Sequence, residues 1–91
     1  MRIVFREEAT ADLYSIIAYY EEVAPEALAN ILSDIYRSID QLTRFSRIAM
    51  AVPDTTLRRL VTRKYHFKVA YEIDAERILI VGIYRHQNRI A

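Results

Sequence analysis

The 91-residue chain has no Cys and no Trp, a single Gly and only two Pro. Without thiols there is no disulfide and no thiolate for a structural zinc site, so the fold has to rest on its own core. That composition fits a reducing compartment, and the cytoplasm is the expected location. One Gly excludes the phosphate-cradling loops of the GxGxxG and GxxxxGK kinds, because each needs several positions where the backbone itself approaches an anion. A nucleotide cofactor held in that way is excluded, and no other cofactor is expected. Long apolar runs are missing too. The start, MRIVFREEATADL, has no apolar core behind a basic segment, and no window approaches the roughly 18 apolar residues of a membrane span. Neither export nor a membrane partner is expected.

What is present suffices for a folded unit. Apolar residues make up 53% of the chain and charged residues 27%, with seven Tyr and three Phe, which separates it from disordered sequences. A second core would have to come from fewer than about 50 residues, so residues 1–91 are read as one domain that buries about 64% of its unfolded surface. The net charge of +1 conceals a split. Residues 1–56 carry five basic and nine acidic side chains, residues 57–91 eight and three. Six acids and no base lie between Glu7 and Glu26, so the first helical segment presents an acidic surface. An anionic partner would be met by the C-terminal half. The same basic residues would equally serve to solvate strands and block edge pairing.

Residues Arg2 to Arg6 are β-branched and aromatic and read as a strand. Ala9, Leu13, Ile16, Ile17 and Tyr20 then recur at spacings of three and four, predicting a helix over residues 7–23. Pro25 stands at a first helical position with Glu26 beside it, and Leu28, Ile31, Leu32, Ile35, Ile39 and Leu42 continue the spacing to about Arg44. So short a separation makes the two helices an antiparallel hairpin whose stripes share a surface. From Leu57 onward the period becomes two. A strand is expected around residues 58–63, reached from the second helix by a loop that wraps over residues 45–56. Tyr65, Phe67, Val69, Tyr71 and Ile73 alternate with His66, Lys68, Ala70 and Glu72, giving a strand with one open face. Asp74 to Arg77 is a tight polar connection, and Ile78 to Tyr84 is apolar on both faces, as a central strand would be. The expected architecture is an α+β layer with acidic helices on one face of a mostly antiparallel sheet and a basic open face behind it.

Few kinds of chemistry are open to these residues. With His66 and His86 as the two histidines and no Cys, a zinc site would need carboxylates from the helices, and no metal site is expected. Ser15, Ser33 and Ser38 fall inside the expected helices and not on a sharp strand-to-helix turn, which removes serine hydrolysis. What remains is binding or cleavage of a phosphodiester, which requires cations for the developing charge and a group to move protons. Arg58, Arg63, Lys64, His66, Lys68, Arg85, His86 and Arg89 all belong to the strand region. The alternation puts His66 and Lys68 on the same open face, with His86 after the neighbouring strand. A His at a strand end also serves in purely structural roles.

Taken in order, the pieces resemble a family. They are Ala9-x-x-Asp12-Leu13 with Ile16 and Tyr20, Pro25 opening the second helix, Ile39-x-x-Leu42, Arg58-x-Leu60, Tyr65, Val69 and Tyr71, and His86-x-x-Arg89. Together they look like the ParE branch of the RelE/ParE superfamily, toxins of bacterial toxin–antitoxin modules that include plasmid stabilisation system proteins. The likeness covers nearly the whole chain and lies in order and spacing. It implies an N-terminal strand, an antiparallel two-helix hairpin and a three-stranded antiparallel meander. It also implies growth inhibition, relieved when a small ParD-like antitoxin wraps a mostly helical segment over the toxin, in a heterotetramer. In the ParE branch the target is DNA gyrase; in the RelE branch the toxin cuts mRNA in the ribosome.

Residue by residue, the resemblance favours the ParE branch. Lys68 stands where RelE-type nucleases usually keep an Arg, three residues before the strand Tyr, here Tyr71, and a Lys lacks the planar fork that grips a phosphate. His86 falls where some of these nucleases place a catalytic His, but their Glu base has no counterpart near Leu57 to Thr62. An RNase would use Lys68, Arg85 and His86. A non-enzymatic gyrase inhibitor would meet its target and antitoxin through Arg58, Arg59, Arg63, Lys64 and Arg89. A degenerate member that only binds its antitoxin is a third reading. The chain departs from the family at Ser46 and Ala49, where Pro and Gly are usual, so the path of that loop is not carried over.

Overall fold

In the computed structural model, which describes residues 1–85, the elements are β1 (Arg2–Phe5), α1 (Glu7–Val23), α2 (Pro25–Asp40), β2 (Met50–Ala51), β3 (Arg58–Val61), β4 (Lys68–Asp74) and β5 (Arg77–Tyr84). α1 occupies the span its periodicity predicts. Glu7 and Glu8 stand in its first turn, beside the positive end of the helix dipole. Ala24 alone separates the helices: its amide donates to the Tyr20 carbonyl at 3.0 Å, and its carbonyl accepts from the Ala27 amide at 2.9 Å. Pro25 follows at the first position of α2, where a missing N–H costs no helical bond. The expected run to Arg44 stops at Asp40 and tightens into a 3-10 turn over Gln41–Thr43. There the Thr43 hydroxyl donates to the Asp40 carbonyl at 2.9 Å, a local competition with the helical ladder that apolar spacing does not register.

The strands form one mixed sheet in the order β1-β5-β4-β3-β2. Its middle is the expected antiparallel meander of β3, β4 and β5. β1 pairs with β5 in parallel, Ile3 beside Ile78 and Phe5 beside Ile80, so β5 is central as its two apolar faces require. β2 lies within the stretch read as loop. Its two residues have no period of their own and become strand only by pairing with Arg58 and Arg59.

Helices and sheet meet in one core. Ile31, Ile35, Ile39 and Leu42 of the second helical stretch are buried against Val69 and Tyr71 of β4 and Ile78, Ile80 and Ile83 of β5, with Leu13 and Ile16 partly buried beside them. A bulge sets the phase of β5. Ala70 pairs with Gly82 but Tyr71 pairs with Ile80, so Val81 is the extra residue and Ile80 and Ile83, three apart, both turn inward.

The β3–β4 connection corrects one expectation. His66 does not share a strand face with Lys68: it sits in the turn with φ 60, the left-handed region, and β4 begins only at Lys68. The Thr62 amide donates to the Phe67 carbonyl at 2.8 Å, and the Thr62 hydroxyl accepts from the Phe67 amide at 2.9 Å. This closes the turn over residues 63–66. The alternating pattern runs on through Tyr65 and Phe67 because both pack on the core, not because they are strand.

Candidate partner and target interface

Phe67, just after that turn, meets Tyr20 of α1 edge to face, ring centroids 6.3 Å apart. Arg85, one residue past β5, donates to the Tyr20 hydroxyl and lies over the Phe67 ring, 5.7 Å from its centroid. Lys68 Nζ donates to the Arg85 carbonyl at 3.2 Å. Two of the three residues a nuclease would use are thus adjacent, but the Arg85 guanidinium joins α1 to the sheet. His86 and Arg89 lie outside the described residues.

The remaining cations divide by strand alternation. Arg58 stands opposite Tyr71 on the inner face of the sheet and donates to the Ala49 carbonyl at 2.8 Å and the Arg47 carbonyl at 3.4 Å. The Tyr71 hydroxyl donates to the Ser46 carbonyl at 2.7 Å. Burial raises the pKa of that hydroxyl, against the opposing effects of the Ala49 backbone and the Arg58 and Arg47 charges. Arg58 therefore positions the loop before β2. Ser46 and Ala49, where the chain departs from the family it resembles, supply carbonyl oxygens that any residue has. Arg59, one residue on, belongs to the opposite face.

Arg63 and Lys64 are exposed in the β3–β4 turn. The turn is tethered to α2 by Asp34, whose Oδ1 accepts from the Lys64 amide at 3.1 Å and Oδ2 from the Tyr65 amide at 2.8 Å. Asp34 is only 6% exposed. Burial by itself would raise its carboxyl, but the Tyr65 amide, the Thr62 hydroxyl, the Lys64 amide and the Lys64 charge outweigh it and hold the group below the ordinary carboxylate range. Sequence reasoning missed Asp34. The signal was there: an acid three residues after Ile31 and one before Ile35 lies on the apolar side of the helix, where it needs partners.

The open face is not uniformly basic, which corrects the second expectation. Arg59 and Lys68 share it with Glu72, which accepts from Arg6 at 3.2 Å and from the Thr56 hydroxyl at 2.8 Å. Arg77 is paired with Asp74 at 2.5 Å. A shallow groove of about 590 Å³ crosses this face, lined by Ala11 and Asp12 of α1 and by Ala70, Val81, Gly82 and Tyr84. Asp12 Oδ2 accepts from the Ile83 amide at 2.9 Å, beyond the end of β1. A helix carboxylate thus takes the place of a neighbouring strand.

The family model described as the ParE toxin of type II toxin-antitoxin system, parDE, matches residues 3–90. The chain belongs to the ParE toxin family. A solved structure, the chromosomal ParDE TA system from P. aeruginosa, has the same fold: TM-score 0.80 over 96% of this chain and 97% of that chain, at 21% identity. No curated protein matches the sequence. In this ParE-family toxin the N-terminal strand, helical hairpin and meander expected of the family are all in place, with β1 parallel to β5 at one sheet edge and the short β2 added at the other. Among the described residues no cluster of three His, Asp or Glu is placed to hold a metal ion, and no helix is long and apolar enough to cross a membrane.

Proposed function

We propose that this ParE-family toxin, acting in the cytoplasm as a single domain over residues 1–91, inhibits growth by binding DNA gyrase and is neutralised by a cognate ParD-like antitoxin. The observation that carries the reading is the engagement of Arg85. A ribonuclease needs cations free to grip the scissile phosphate. Here the Arg85 guanidinium bonds Tyr20 and covers Phe67, while Lys68, which lacks a planar fork, bonds the Arg85 carbonyl. An inhibitor that works by binding needs only a presented surface. Arg59 on the open sheet face and Arg63 and Lys64 on the β3–β4 turn are presented in this way, since none of them takes part in an ion pair among the described residues. Arg58 contributes through the loop it holds, and Arg89 extends the same charge along the chain. The antitoxin lays an amphipathic segment into the open-face groove with its acids toward Arg59 and Lys68, and the pair assembles as a heterotetramer.

The test is a pair of assays with pure toxin: gyrase supercoiling, and cleavage of mRNA on ribosomes. Inhibition of supercoiling without cleavage is the expected result. Cleavage that His86→Ala abolishes would replace gyrase inhibition with a ribosome-dependent endonuclease.

A further inference from the structure

α2 carries a second stripe beside its buried one. Asn30, Ser33, Arg37 and Gln41 recur at spacings of three and four and form one wall of a cleft of about 300 Å³, whose other wall is Arg63 and Lys64 of the β3–β4 turn. Asp34 is the acid lining it, and both of its oxygens are occupied by the Lys64 and Tyr65 amides. It tethers the turn, and its single negative charge, felt by Lys64, offsets one of the cations around it. None of Arg37, Arg63 and Lys64 forms an ion pair among the described residues. Three cations against one carboxylate leave an excess of positive charge in a concavity, where the field they create is strongest.

We propose that this cleft binds a phosphate group, carried by a free nucleotide or by a nucleic-acid strand. The donor set selects phosphate over carboxylate. Two guanidinium groups and an ammonium come from two directions, with the Ser33 hydroxyl and the Asn30 and Gln41 amides available between them. A tetrahedral oxyanion can use all of these donors at once, whereas a planar carboxylate is satisfied by a single Arg fork. The inference does not depend on gyrase being the target. Arg63 and Lys64 belong to both surfaces, but Arg37 belongs to this one alone.

The experiment is titration of the full-length toxin with inorganic phosphate, ATP and a short DNA duplex, followed by amide chemical shifts and by affinity. Saturable shifts in residues 30–41 and 62–65 are expected. Arg37→Gln and Arg63→Gln should each weaken binding by about tenfold, the loss of one charge-assisted contact. Arg44→Gln, at an exposed residue paired with Asp40 at 3.7 Å and outside the cleft, should not. Thermal melts of each variant separate loss of binding from loss of fold. Comparable binding of ATP and duplex assigns a free nucleotide. Much tighter duplex binding that weakens with salt, by a log–log slope of about −0.9 for each phosphate neutralised, assigns a nucleic-acid strand. The proposal is overturned if no ligand shifts these amides, if Arg44→Gln loses as much as Arg37→Gln, or if a glutamate-rich peptide binds there and phosphate does not displace it.

Discussion

Ile35 is fully buried on the inner side of α2, among the apolar side chains of the core. Ile35→Ala should therefore cost about 2–5 kcal/mol, the range for a deletion whose cavity does not collapse. Urea denaturation measures it, and a loss under about 0.5 kcal/mol, the scatter of surface sites, would show the helix phase to be misassigned. Asp34 makes a pH-dependent contribution. Its folded pKa lies below its unfolded one, so the folded state binds fewer protons. The contribution is complete above the unfolded value of about 3.9 and is lost as pH falls through the lower folded value. Asp34→Asn should be less stable than the parent at pH 7, and the gap should begin to narrow below about pH 4 and close as pH falls through the lower folded value. Thermal unfolding from pH 7 to pH 2 reads this directly, and a gap that stays constant would assign Asp34 no role in the acid limb.

At the scale of elements, the weak point is the C-terminal half of β5. β1 pairs only as far as Phe5 beside Ile80, and the Ile83 amide is met by the Asp12 carboxylate of α1. Asp12→Ala should cost about 1–3 kcal/mol, the penalty for an unsatisfied backbone donor, and Asp12→Asn, which keeps an acceptor, should recover most of it. Denaturation of the two variants separates this from a helix-propensity effect, because Ala is the better helix former and would otherwise stabilise α1. The helices and the meander were legible in the sequence because their spacings are local. β2 was not, since two residues have no period, and neither was the bulge at Val81, since a run apolar on both faces reads the same in either phase.

For the molecule as a whole, charge and function turn on what tertiary contacts leave exposed. His86→Ala should leave growth inhibition largely intact on induction of the toxin, because a binding mechanism needs no proton transfer. Arg63→Glu should weaken inhibition, as an exposed cation of the presented surface. Growth curves of the two variants against the parent check both. Full loss of inhibition in His86→Ala, with normal folding, would favour the endonuclease. Sequence assigned Arg58, Arg59, Arg63 and Lys64 to one basic group. In the fold, Arg58 turns inward to the loop carbonyls and Arg63 and Lys64 stand over α2, while Arg59 belongs to the open face.

By itself the sequence determined α1, the joint at Ala24 and Pro25, the buried stripe of α2, the β3–β4–β5 meander and membership of the ParE family. These follow from side-chain spacing over a few residues and from the order of motifs, both of which are properties of the chain before it folds. Only the tertiary structure decided that β1 runs parallel to β5, that Asp12 would reach Ile83, 71 residues away, and that Arg85 would be taken up by Tyr20, 65 residues away. Such partners are chosen when distant segments are packed together. Nothing in local spacing encodes a choice that depends on which backbone groups the rest of the fold has left unpaired.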